Sequence, residues 1–163
     1  MQNTKSPTIQ NLEAAFAGES MAHIKYMWFA RQCRKAGDEA TAKVFEDTAA
    51  QEILHAFGHA ELLFSDETMT PAKCLQYAIE GETYEYTEMY PKFRHEAMLE
   101  GNTAAVAEMD EQIAESKEHA DMFRNVLEKA AKRFAALAKV EEKHAKHYQA
   151  TKDALAAPQA IAA

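Results

Sequence analysis

Seven residues place metal-ligating chemistry on helical stripes that are otherwise apolar. Glu19 falls between Phe16 and Tyr26, and Glu52 and His55 fall between Thr48 and Leu62. Glu82 and Glu85 lie between Ala78 and Met89, and Glu141 and His144 lie between Leu137 and Tyr148. A helical core would carry Leu or Ile at such positions. An unpaired carboxylate is costly to bury, and converging carboxylates also repel one another. Bound cations resolve both costs. Glu-x-x-His puts two ligands one turn apart on a single helix face. Two such pairs, joined by a Glu from each of two other helices, make the donor set of di-iron carboxylate bundles. Carboxylate and imidazole suit iron or manganese, while the lack of thiolate ligands disfavours structural zinc. Two non-haem iron ions are therefore expected, with manganese or zinc as substitutes.

A lone Glu-x-x-His on an Ala-rich helix is commonly a solvated ion pair. Two of them on core stripes, together with Glu19, Glu82 and Glu85, point instead to a shared centre. Hairpin arithmetic agrees. Glu19 lies 18 residues before Gly37 and Glu52 lies 15 after it, so at about 1.5 Å per residue the two reach similar depth.

The elements that must position these residues are helices. Only 5 Gly and 4 Pro occur in 163 residues, too few breakers for an all-β chain. One helix is expected from after Ser6-Pro7, capped by Thr8, to near Gly37, and a second from about 38 to 64. A polar connector spans 65–70, and Pro71 suits the first turn of a third helix, which reaches Gly101-Asn102. Pro91 predicts a kink inside it. Residues 103–152 contain no breaker. Stripes such as Leu12, Phe16, Tyr26, Ala30 and Cys33, or Phe123, Leu127, Ala130, Phe134, Leu137 and Tyr148, would line the core. The fold class is all-α, a four-helix bundle.

The last stretch is too long for one bundle helix. Residues 106–131 are read as a helical insertion before the last helix, folded out and back with a turn near Ser116. The domain then spans 8–152, between a flexible N-terminus at 1–7 and a flexible tail at 153–163. The stretch also carries a rival to the fourth ligand pair. Glu115, Glu118 and His119 lie 14 to 18 residues past Gly101, the right depth without an insertion. Yet at 100° per residue Glu115 and Glu118 point far from Ile113, whereas Glu141 and His144 lie close to the direction of Leu137. Glu141 and His144 are preferred, which leaves residues 115–119 as a solvated face.

Composition narrows the function classes. There are 18 basic and 26 acidic residues, net −8, and no basic cluster, so neither a nucleic-acid nor an anionic-membrane partner is expected. No apolar run is long enough to span a bilayer. The N-terminus lacks the apolar region of a secretory signal. Cys33 and Cys74 are far apart with no CxxC, which excludes a disulfide framework; a cytoplasmic protein is expected.

The segments AFAGES (15–20), TAAQEILHA (48–56), GETYEYTEMYP (81–91) and KVEEKHAKHY (139–148) closely resemble the rubrerythrin family, with four motifs in order. The resemblance implies a ferritin-like four-helix bundle with a helical insertion before the last helix, and a non-haem di-iron peroxidase that reduces hydrogen peroxide to water in oxidative-stress defence. It assigns the metal to Glu19, Glu52, His55, Glu82, Glu85, Glu141 and His144. Tyr26 and Tyr90 match tyrosines that hydrogen-bond to the carboxylate ligands and are candidate proton donors. Many relatives carry a C-terminal rubredoxin domain. This sequence carries none, so an external electron donor is expected. A homodimer, with helices exchanged between copies, is also expected. Two other readings stay open: a ferroxidase or iron-handling protein oxidising ferrous iron, and a non-enzymatic, metal-stabilised helical module.

Overall fold

The computed structural model describes residues 5–65 and 67–156. All elements among them are helical, as expected. The calls on residues 1–4 and 157–163 lie outside the described residues. The chain divides into two compact units at Thr70/Pro71, and each is a helical hairpin.

The first unit pairs α1 (Pro7–Lys35) with α2 (Glu39–Leu63). Helix α1 begins one residue before the expected cap. Pro7 stands at its first position, where a missing N–H costs nothing, and the Ser6 hydroxyl accepts from the Ile9 amide at 3.4 Å. Gly37 takes φ +84°, a left-handed conformation that reverses the chain. Asp38 then caps α2 by accepting from the Thr41 amide at 2.9 Å. The helices meet on a seam of fully enclosed alanines, Ala30 on α1 and Ala42, Ala49 and Ala56 on α2. The α2 alanines recur every seventh residue, one direction of the helix kept small so the backbones can approach. Tyr26, Phe29 and Phe45 fill the space beside the seam, with ring centroids 5.5 to 6.3 Å apart.

The second unit runs from α3 (Pro71–Tyr84) through a π-helical segment (Glu85–Met89) into α4 (Tyr90–Leu99), and returns as α5 (Thr103–Ala156). The expected irregularity near Pro91 takes the form of that π-helical segment, in which the Tyr90 amide donates to the Glu85 carbonyl. Pro91 has no N–H for the carbonyl one turn back, so the α-ladder is already broken there. Gly101, at φ +71°, makes the reversal. Ala97, Ser116 and Ala120 are buried against the facing helix.

The turn expected near Ser116 does not form. Thr103–Ala156 is one uninterrupted helix of 54 residues. The helical length beyond a bundle helix is therefore added at its far end, and residues 153–156, expected in the tail, belong to α5. The physical reason is local: 103–152 contains no Gly or Pro to stop a helix. Every described residue from 131 to 153 is exposed, so Phe134, Leu137 and Tyr148 do not line a core within their unit. Leu62 and Phe93 are also exposed.

Candidate metal centre

Each hairpin gathers its own set of ligand-type side chains. In the first, Glu19 of α1 faces Glu52 and His55 of α2. One ligand atom from each lies within 4.8 Å of the others, and His55 Nδ1 is 3.0 Å from Glu52 Oε2. Both carboxylates are half-buried and the imidazole is exposed. The Glu52 carboxyl is held below its usual range, first by a hydrogen bond shared with Glu19 and then by His55. Two hard oxygen donors and one imidazole, converging this closely, fit a transition-metal ion of the iron or manganese type. The hairpin is pinned at this level by His23, whose Nδ1 lies 2.8 Å from the Ala49 carbonyl. His23 thereby bridges the two helices.

In the second hairpin, Glu82 and Glu85 face α5. The residues they meet there are His119 and Ser116. His119 Nδ1 lies 3.4 Å from Glu82 Oε1. The Ser116 hydroxyl, 3% exposed, donates to Glu85 Oε2 at 3.0 Å. Glu115 stands one turn before His119 on the same helix. Burial, and then the charges of Glu85, Glu82 and Glu108, push the Tyr90 phenol above its usual range. A phenol so placed keeps its proton at neutral pH and can donate it to a neighbouring oxygen. Arg124 donates from Nη2 to Thr83 Oγ1 at 2.8 Å and also bonds Tyr86, bracing the stretch that carries Glu82 and Glu85.

Glu141 and His144 are not brought to Glu82 and Glu85. Their closest recorded partners are each other, with His144 Nδ1 3.6 Å from Glu141 Oε2, on a stretch where both side chains are more than half exposed. Along α5 they lie 22 and 25 residues beyond His119, about 33 Å or more at ~1.5 Å per residue. Of the group weighed as the rival, the geometry brings His119 to Glu82, while Glu115 and Glu118 are exposed. Hairpin depth had pointed to His119: Glu82 is 19 residues before Gly101 and His119 is 18 after it. The phase argument misled because the buried positions of α5 are the small residues Ser116 and Ala120. The ligand-type side chains flank that seam, and at about 100° per residue the His119 direction falls some 60° from Ser116. Ser116 and Arg124 carried no sequence signal of their own.

The donor types on each hairpin suit a metal ion: Glu19, Glu52 and His55 on the first, and Glu82 and His119, beside Glu85, on the second. Among the described residues no helix is long and apolar enough to cross a membrane.

Comparison with known proteins gives one consistent result. A family profile described as rubrerythrin matches residues 10–127. The chain is 40% identical over 111 residues to nigerythrin of Nitratidesulfovibrio vulgaris, covering 61% of this chain and 55% of that one. It is 34% identical over 156 residues to rubrerythrin of Porphyromonas gingivalis, covering 89% and 66%. It is 31% identical over 140 residues to a putative rubrerythrin of Methanocaldococcus jannaschii, covering 74% and 69%. The chain therefore spans little more than half the length of the first of these relatives. A solved structure of nigerythrin in its fully reduced, all-ferrous state aligns at a TM-score of 0.38, with 31% identity over 80% of this chain and 70% of that one.

Proposed function

The chain belongs to the rubrerythrin family of ferritin-like di-iron proteins, and from that premise we propose that it is a non-haem di-iron peroxidase, reducing hydrogen peroxide to water in oxidative-stress defence. The observation that carries this reading is that each hairpin holds carboxylate and imidazole side chains together: Glu19, Glu52 and His55 on one, and Glu82 and His119, with Glu85 held by Ser116, on the other. These are the donor types of di-iron carboxylate proteins. On α5, His119 serves in place of Glu141 and His144. The family profile, which ends at residue 127, supports that choice. The family and the carboxylate and imidazole donors support iron as the metal.

Iron bound here supplies the electrons that cleave the oxygen–oxygen bond of peroxide. The chain's own residues do the rest. The carboxylates balance the metal charge. The Ser116 hydroxyl orients Glu85 through its hydrogen bond. The Tyr90 phenol, held protonated beside Glu85 and Glu82, is placed to give a proton to the departing oxygen. Tyr26, packed on Phe45, is its counterpart on the first hairpin. An external electron-donor protein returns two electrons per peroxide, which with two protons yields two waters. The protein works in the cytoplasm as a homodimer, a state supported by large exposed apolar side chains such as Ile24, Trp28, Leu54 and Phe57.

Stopped-flow spectroscopy of the fully reduced, iron-loaded protein tests the reading. Peroxide is expected to oxidise it much faster than dioxygen does. Faster reaction with dioxygen, accompanied by turnover of added ferrous iron, would establish a ferroxidase instead. Glu52→Ala is expected to lose iron and peroxidase turnover while keeping its helical circular dichroism. Unchanged turnover would leave only a metal-stabilised helical module.

A further inference from the structure

The two hairpins repeat one plan. Each reverses at a glycine of positive φ, Gly37 or Gly101. Each returning helix is capped by the next residue: Asp38 accepts from the Thr41 amide at 2.9 Å, and Asn102 from the Ala105 amide at 3.1 Å. Counted back from the glycines, Tyr26 and Tyr90 both stand at 11 residues. Farther back, AFAGES (15–20) is matched by AIEGET (78–83), which pairs Glu19 with Glu82. That pairing is one residue out of step with the tyrosines. The π-helical segment Glu85–Met89 absorbs the difference, because an i→i+5 turn holds one residue more than an i→i+4 turn.

Counted forward, His55 and His119 both stand 18 residues after their glycine. Each is followed by a fully enclosed alanine, Ala56 or Ala120. At 15 residues after the glycine the hairpins part: the first has Glu52, the second Ser116. Ser116-x-x-His119 therefore stands where Glu52-x-x-His55 stands. Ser116 is 3% exposed, so it takes the inward place without the charge. Glu115, one residue earlier, is exposed and directed about 100° away. The opposite exchange occurs on the facing side. Three residues after Glu19 comes Ala22, and three residues after Glu82 comes Glu85. The Ser116 hydroxyl donates to Glu85 Oε2 at 3.0 Å. Each hairpin thus keeps two half-buried carboxylates and one imidazole.

We propose that in the second hairpin the part played by Glu52 has crossed from the returning helix to Glu85, with Ser116 holding that carboxylate from the vacated place. A hydroxyl cannot balance the charge of a metal ion, but its O–H suits a carboxylate oxygen. A carboxylate at both positions would set like charges at hydrogen-bond distance in the absence of metal. One or the other suffices. The inference rests on the metal-binding part of the reading above and not on the reaction with peroxide.

The test is an anaerobic titration of the full-length apo-protein with ferrous iron against a competing chelator, with helicity followed by circular dichroism. The step to watch is the ion that His119→Ala loses. Glu85→Ala is expected to weaken that step at least tenfold and to leave the other ion within threefold of wild type. Adding Ser116→Glu to Glu85→Ala is expected to return the weakened step to within threefold of wild type. Ser116→Glu alone is expected to lower the Tm of the apo-protein, and added ferrous iron to recover it. Where Ser116→Glu prevents folding, Ser116→Asp carries the same comparison. A folded double variant that binds no more tightly than Glu85→Ala would overturn the proposal, as would wild-type affinity in Glu85→Ala. A wild-type chain that binds no second ion would overturn the metal reading and the proposal with it. Full rescue in a protein whose diferrous form reacts faster with dioxygen than with peroxide would overturn the peroxidase reading alone and uphold the relocated carboxylate.

Discussion

His119 Nδ1 stands 3.4 Å from Glu82 Oε1, one residue on each side of a hairpin reversed at Gly101. The contact sets the depth at which the second ligand group forms. It separates α5 into a packed part that carries ligands and a far part that does not.

Metal content distinguishes the two histidines. Iron-loaded His119→Ala is expected to hold about one iron per chain where wild type holds two, by elemental analysis. His144→Ala, altered about 37 Å farther along the helix at ~1.5 Å per residue, is expected to keep both. The reverse pattern would return the fourth ligand pair to Glu141 and His144.

Ser116 acts through Glu85 and is a positioning residue. Removing a hydrogen bond that orients a metal-ligating carboxylate costs about tenfold or more in metal affinity. Ser116→Ala is expected to weaken ferrous-iron binding by about that factor in competitive titration, while Ser116→Thr keeps the hydroxyl and recovers most of it. Equal affinity in Ser116→Ala and wild type would remove Ser116 from the site.

The alanine seam admits no larger side chain. Ala49 is fully enclosed between α1 and α2, and overpacking of that kind costs about 1–3 kcal/mol. Ala49→Leu is expected to lower the Tm of the apo-protein. It should also weaken iron binding, because Glu52 lies one turn farther along the same helix. A Tm at or above wild type would show that the hairpin opens without penalty.

Acid weakens the apo-protein through its depressed carboxyls, Glu52 and three outside the ligand groups. Asp38 is held below its usual range by the Thr41 amide, Glu46 by Arg34 and Asp110 by Arg94. A carboxyl depressed in the folded state contributes stability that is fully present above its unfolded value, roughly pH 4. That stability is lost as pH falls through the folded value. Asp38 and Asp110 are exposed and Glu46 is half-buried, so each contribution is small and screened. Apo-protein Tm is expected to be flat near neutrality and to fall below about pH 4. Asp38→Asn is expected to show a shallower fall, since a neutral side chain keeps the cap without titrating. Identical acid limbs for the two proteins would assign the loss elsewhere.

The sequence by itself determined the helical class and the reversals at Gly37 and Gly101, and it singled out Glu19, Glu52, His55, Glu82 and Glu85 as candidate donors. These are local matters. Breaker residues stop helices, and carboxylates on an apolar stripe announce themselves by spacing alone. The tertiary structure decided which part of the 54-residue helix α5 faces Glu82 and Glu85. Two stretches of that helix carry a Glu and a His at helical spacing, and periodicity favoured the wrong one. Its buried seam is built from Ser116 and Ala120, residues too small and too polar to register as an apolar stripe. Only the position of α3 against α5 distinguishes the pair that meets Glu82 from the pair that lies exposed beyond it.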